Sequence, residues 1–354
     1  MSARTGSGTE AATPSSEREG ARQTSFLFEL SGEHPLLPEA EAAWCCYAEC
    51  GPCPILDKGP GYVIISLPDE AVGPIGERIA LTHRIGEHLL SCEPSEAVKA
   101  AAGLELPEGT FAVRVRRQGT NHLDVDCNRL AAAIGNVLAR ERKVDLIDPD
   151  VEVMVMLSDR AQFYITRHVV DRSGFEARKV AERPFFSPIS LHPKYARALV
   201  NLTGVRRGQR LLDPFCGTGG ILIEAASIGV RAVGSDISPE MVEGCKSNLR
   251  HFGLDWDELT EADVGVIDEM FDDIKAVATD PPYGRSASTR KEPIDDLYER
   301  AIPAISRTLR PGGGAGIVLP RPCPDRHDGL ELRASFQQKV HRSLTRHYCL
   351  FTRR

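Results

Sequence analysis

The chain has 354 residues, room for two or three domains with ample core. Its formal net charge is −7, from 43 Lys and Arg against 50 Asp and Glu, which is not the overall footprint of a nucleic-acid binder. No apolar run is long enough to span a membrane and the first residues lack a signal peptide's apolar core, so a soluble, cytoplasmic protein is expected.

Residues 1–23, rich in Ser, Thr, Gly, Ala and Glu, read as a disordered tail. Residues 24–91 read as a small acidic α+β unit, with strands at 25–30, 61–67 and 81–90, a helix at 38–49 and a short helix at 71–78. Cys45, Cys46, Cys50 and Cys53 cluster within it. Cys50-x-x-Cys53 has zinc-ligand spacing, but no second pair completes the set, so free thiols and no metal are expected. Ten cysteines in a cytoplasmic setting predict no disulfide framework.

Residues 110–117 alternate apolar and basic side chains, which predicts a strand presenting Arg114, Arg116 and Arg117. A helix over 128–141, capped by Asn128, runs out into Arg140, Arg142 and Lys143. Residues 152–157 and 162–170 read as a hairpin. Arginines on a strand face and cations at a helix end suit phosphate contacts.

From Gln209 strand and helix alternate, predicting a mostly parallel sheet. A strand ending in Asp213 enters the turn Pro214-Phe215-Cys216-Gly217-Thr218-Gly219-Gly220, and a helix follows over 221–226. Glycines let backbone approach a ligand, and a helix start favours a carboxylate. The next strand, 230–236, ends in Asp236, one βαβ step on, where an acid can hold a ribose diol. Asp263 ends a third strand and is placed to face an adenine amine. Ser238 caps a helix with Pro239 first. The apolar run 276–279 is a buried strand that leaves Asp280 at its carboxyl end, followed by Pro281-Pro282-Tyr283-Gly284. The prolines remove N–H donors and leave carbonyl acceptors, and Tyr283 offers a ring for stacking. Acceptors beside a ring suit a planar substrate carrying an exocyclic amine. A helix at 294–309, a strand at 314–319 and an antiparallel pair at 336–342 and 344–352 complete the sheet. His327, His341 and His347 share no ligand spacing.

Asp-Pro-Phe-Cys-Gly-Thr-Gly-Gly at 213–220, Asp236, Asp263 and Asp-Pro-Pro-Tyr-Gly at 280–284 come in the order and spacing of methyltransferases that use S-adenosylmethionine and act on exocyclic amines. Residues 183–188 and 191–202 resemble the junction of the archaeal tRNA (guanine-10) N2-methyltransferases, and residues 92–172 resemble a THUMP RNA-binding domain. The resemblance implies an α/β protein: a Rossmann-like, seven-stranded methyltransferase sheet over 209–354, joined through a linker at 173–208 to an N-terminal α+β region. It implies S-adenosylmethionine as cofactor, tRNA as partner and direct in-line transfer to guanosine N2. Asp280 would then accept the proton, Pro281 lend its carbonyl and Tyr283 stack on the base. Asp213, Cys216, Gly217, Thr218 and Gly219 would line the methionine end, Asp236 the ribose and Asp263 the adenine, with Ser187, Pro188 and His192 as pocket wall. Other amines (cytosine N4, adenine N6, glutamine N5) and a non-catalytic RNA-binding role are the competing readings. The count of methyls, the exact nucleotide and an activating subunit stay open.

Overall fold

The computed structural model describes residues 23–119, 122–139, 142–187, 190–282, 292–323, 326–327, 329–341 and 344–354. Two sheets organise them. The first contains β1 (Gln23–Leu30), β2 (Ile55–Gly59), β3 (Tyr62–Pro68), β4 (Thr82–Cys92), β5 (Phe111–Arg117), β6 (Val151–Leu157) and β7 (Ala161–Val169), in the order β2-β3-β1-β4-β7-β6-β5. Helices α1 (Leu37–Cys50), α2 (Val72–Arg78), α3 (Ala97–Ala101) and α4 (Cys127–Leu138) accompany it. All its pairings are antiparallel except β5 with β6. β4 pairs with β7, so the sheet runs unbroken across the expected boundary at residues 91 and 92.

Short α5 (Ser173–Ala177) and α6 (Pro193–Leu202) lead into the second sheet. There β8 (Arg210–Asp213), α7 (Gly220–Ala226), β9 (Arg231–Asp236), α8 (Pro239–His251), β10 (Glu258–Glu261), α9 (Ile267–Met270), β11 (Ile274–Thr279), α10 (Ile294–Thr308) and β12 (Leu309–Leu319) alternate. The last strands are β13 (Arg326–His327), β14 (Leu330–His341) and β15 (Leu344–Arg353). The order is β10-β9-β8-β11-β12-β15-β14-β13, with the first five strands parallel and β15 antiparallel between β12 and β14. The expected seven strands are present, and two-residue β13 adds an eighth at the edge of β14. Successive strand residues serve opposite faces. Leu211, Ala232 and Ala276 pack with α6, α7 and α8, whereas Leu212, Val233 and Val277 pack with α9 and α10. Gly314 of β12 is where α6 ends on the sheet: a Cβ there would lie 2.3 Å from the Thr203 carbonyl oxygen.

A buried polar network ties α1 and α2 to α6. Arg78 is wholly buried and donates to Asn201 Oδ1 (3.1 Å), Glu49 Oε1 (2.6 Å) and the Val205 carbonyl (2.8 Å). Glu41, also wholly buried, accepts from the Ala80 and Leu81 amides and from Asn201 Nδ2. Each buried group finds partners, as burial demands.

Two expectations are corrected and one strand is added. The helix of the second unit is capped by Asp126, not Asn128: its carboxylate accepts from the Asn128 and Arg129 amides, and the helix ends at Leu138. β2 had no sequence counterpart. Cys323 and Cys349 form a disulfide with Cα atoms 5.7 Å apart, because the chain leaving β12 packs Cys323 back against the core beside β15. Among the described residues no helix is long and apolar enough to cross a membrane.

Candidate active site

Parallel strands of an open sheet place ligands beyond their carboxyl ends. A cavity of about 460 Å³ opens there in the second sheet, within the range of small-molecule sites. β8 delivers Asp213, β9 delivers Asp236, Asp263 follows β10, and Asp280 follows β11. All four line the cavity together with Cys216, Gly217, Thr218, Pro281 and Ser187.

The acids differ in surroundings. Asp213 is buried and accepts from Thr279 Oγ1 (2.7 Å) and the Phe215 amide (3.2 Å). Burial lifts its pKa to about 7, with Asp236 and Asp280 adding to the rise. Asp236 accepts from the Gly217 amide (3.0 Å) and the Ser238 amide (2.9 Å), clamping the glycine turn to the start of α8, and burial raises its pKa too. Asp263 accepts from the Gly265 amide (2.8 Å) and is gripped through both oxygens by Arg300 of α10. Arg300 in turn holds Glu292, another cavity residue. Beyond Asp280, the Pro282 carbonyl accepts from Tyr298 O–H (3.0 Å), so α10 also fixes the proline turn.

Gly219, expected at the methionine end, and His192, expected in the wall, are not among the residues lining the cavity. Gly219 starts α7 at φ +81°, and a Cβ there would lie 2.5 Å from Cys245 Sγ, so it serves packing. His192 caps α6, its Nδ1 accepting from the Lys194 amide (3.4 Å), and Ser190 and Leu191 line the cavity instead. Tyr283, Gly284, Arg285 and Pro188 lie outside the described residues, as does the tail over 1–22. Arg300, Tyr298 and Glu292 were not found from sequence, because α10 brings the first two to the cavity only through packing and Arg300 holds Glu292, which precedes the helix. The residues fit a nucleoside with an amino-acid tail. Asp236 stands at the cavity as an acceptor, and Gly217, Thr218 and Gly220 make a wall of little side chain.

A second cavity lies between β5 and α4, lined by Arg84, Arg114, Arg116, Asn128 and Asn136. Arg114 also bonds the Leu146 carbonyl (2.6 Å). Arg117 points to the Leu123 carbonyl (2.9 Å), Lys143 is exposed away from the cavity lining, and Arg140 lies outside the described residues. The thiols behave as packing groups: Cys45 and Cys46 are buried, and Cys50 Sγ is 3.3 Å from Cys53 Sγ. Among the described residues no three His, Cys, Asp or Glu side chains are arranged to hold a metal ion.

A doubly wound sheet with a glycine turn and strand-end acids around one cavity defines a methyltransferase domain. Residues 181–323 match the family described as RMKL-like, methyltransferase domain, and residues 95–166 match the THUMP domain. The chain is 36% identical over 328 residues to a tRNA (guanine(10)-N2)-dimethyltransferase of Methanothermobacter thermautotrophicus, covering 90% of this chain and 96% of that one. It is 35% identical to the protein of the same name from Pyrococcus abyssi, covering 93% and 100%. It therefore belongs to the tRNA (guanine(10)-N2)-dimethyltransferase family. The crystal structure of TrmN from Thermus thermophilus shares the fold, with a TM-score of 0.54 at 23% identity over 93% of this chain and all of that one.

Proposed function

We propose that the protein methylates the exocyclic N2 of guanosine at position 10 of tRNA in the cytoplasm, once and then a second time, with S-adenosylmethionine as donor. The observation that carries this is the shared cavity: Asp280 and Pro281 line the same space as the glycine turn and Asp236. The names of the relatives support the substrate.

S-adenosylmethionine would supply a methyl group already activated on a sulfonium. Asp236 would take its ribose diol, Asp263 with Arg300 the adenine edge, and Gly217 and Thr218 the amino-acid end. The guanine amine is a poor nucleophile because its lone pair is delocalised into the ring. Asp280 therefore orients that lone pair by accepting one N–H, and takes the proton as the nitrogen gains its methyl. Pro281 offers its carbonyl to the other N–H, while Tyr298 keeps the following peptide in place. Tyr283 is assigned as the stacking ring that replaces neighbours of a base drawn out of the tRNA. The Arg84, Arg114 and Arg116 cavity is assigned to tRNA phosphates, with Arg117, Arg140 and Lys143 as outlying contacts.

The test is nucleoside mass spectrometry with digestion mapping, on unmodified tRNA incubated with protein and S-adenosylmethionine. N2-methyl- and N2,N2-dimethylguanosine at position 10 are expected. Methylated guanosine at another position would keep the chemistry and overturn the site. Methyl on another base would overturn the substrate.

A further inference from the structure

Behind the glycine turn lies Arg183, a cation that the site as built above does not use. Its side chain is 4% exposed. Nε donates to the Arg178 carbonyl (3.1 Å) and Nη1 to Thr218 Oγ1 (3.5 Å), while Nη2 has no hydrogen-bond partner among the described residues. Gly220 is moulded to the same guanidinium: a Cβ there would lie 3.2 Å from Nη1 and 3.7 Å from Nη2.

Charge around Arg183 is out of balance. The carboxylate facing it is Glu224 of α7, wholly buried. Glu224 is already bound by Arg178 (2.7 and 3.1 Å) and by Arg197 (2.8 Å). Glu224 is thus bound by two guanidiniums and leaves Arg183 facing it without an ion pair of its own among the described residues, directly behind Thr218 and Gly220, which line the cavity. Burial and the neighbouring Arg178 both lower the pKa of Arg183, so holding its charge there is costly. A buried cation with a spare donor calls for a second anion.

We propose that Arg183 is a positioning residue for the methionine carboxylate of S-adenosylmethionine, holding Thr218 so that its hydroxyl donates into the cavity and placing positive charge behind it. The proposal rests on reading this cavity as the cofactor site. A guanidinium only donates, so Thr218 Oγ1 must accept from it and its own proton is left for an acceptor on the cavity side. The carboxylate is the group at that end of the cofactor that both charge and donor favour. The amino group would gain from neither.

The test is calorimetric binding of two ligands. S-adenosylhomocysteine carries the carboxylate. 5′-Methylthioadenosine keeps the nucleoside and thioether but lacks the amino-acid end. Arg183→Met is expected to weaken S-adenosylhomocysteine about tenfold or more and to leave 5′-methylthioadenosine within about twofold, with partial recovery in Arg183→Lys. Thr218→Ala should show the same split, and it carries the test if Arg183→Met does not fold. Equal loss of both ligands, or loss of neither, would overturn the proposal. A wild-type protein that binds neither ligand would remove the cofactor reading itself, and this proposal with it.

Discussion

Asp280, Asp236 and Asp213 illustrate how one residue type takes different duties from its surroundings. Asp236 is held by backbone amides, those of Gly217 and Ser238 among them, and Asp213 by Thr279 and Phe215, so each shapes the cavity as well as lining it. Asp280 heads the proline turn, where a substrate amine would arrive. Asp280→Asn keeps the shape and removes the proton acceptor. Its single-turnover methyl transfer should fall at least about 100-fold, the usual scale for a lost general base, with S-adenosylhomocysteine affinity unchanged by calorimetry. Tyr298→Phe removes only the hydroxyl that holds the Pro282 carbonyl. Its transfer rate should fall by up to about tenfold, again without change in cofactor affinity, because a net hydrogen bond is worth about 1 kcal/mol. The acids and the glycine turn were legible in the sequence because local strand-to-turn patterns announce them. Arg300 and Tyr298 were not, since a polar residue on an amphipathic helix looks the same whether it meets a cavity or water.

Helices α1, α2 and α6 are joined by buried charge rather than by apolar contact alone, and this gives the joint a pH dependence. Burial raises the Glu41 pKa to about 7, against the lowering effect of its hydrogen bonds to Asn201, Leu81 and Ala80. Its folded pKa exceeds the unfolded value, so its stabilising contribution is full at low pH and is lost as pH rises through about 7. Chemical denaturation at pH 6 and 8.5 should therefore show wild type losing about 1 kcal/mol relative to Glu41→Gln across that interval. A pH-independent difference would contradict the assignment. Asp213 titrates in the same sense but is common to both proteins and cancels. The same scale shows why some elements were legible. The strand over Phe111–Arg117 alternates and was found. In β2, Ile55-Leu56-Asp57-Lys58-Gly59 has no alternation, and its pairing with β3 supplies what its pattern does not. The start of α6 was not read from the sequence, where His192 was placed in the pocket wall; it caps the helix ahead of Pro193, and the helix's role as the bridge between the two sheets depends on Arg78 and Glu41, far away in sequence.

At the scale of the whole molecule, a chain of net charge −7 gathers Arg84, Arg114 and Arg116 along one cavity, with Glu152 beside Arg114 and Glu29 beside Arg84 offsetting part of their charge. Overall composition conceals such a groove, because strands and a helix distant in sequence build it together. The double variant Arg114→Glu, Arg116→Glu should weaken tRNA binding and lower the salt dependence of the binding constant by about two counterions, leaving S-adenosylhomocysteine binding intact. An unchanged salt slope would remove the groove from the tRNA path. The central claim joins this groove to the strand-end acids: one chain grips tRNA and methylates the 2-amino group of one guanine. The most direct measurement is incorporation of labelled methyl from S-adenosylmethionine into two tRNA transcripts that differ only at position 10, one with guanosine and one with inosine, which lacks that amine. Label is expected in the guanosine transcript and none in the inosine transcript. Equal label in both would contradict the assignment of the reacting atom.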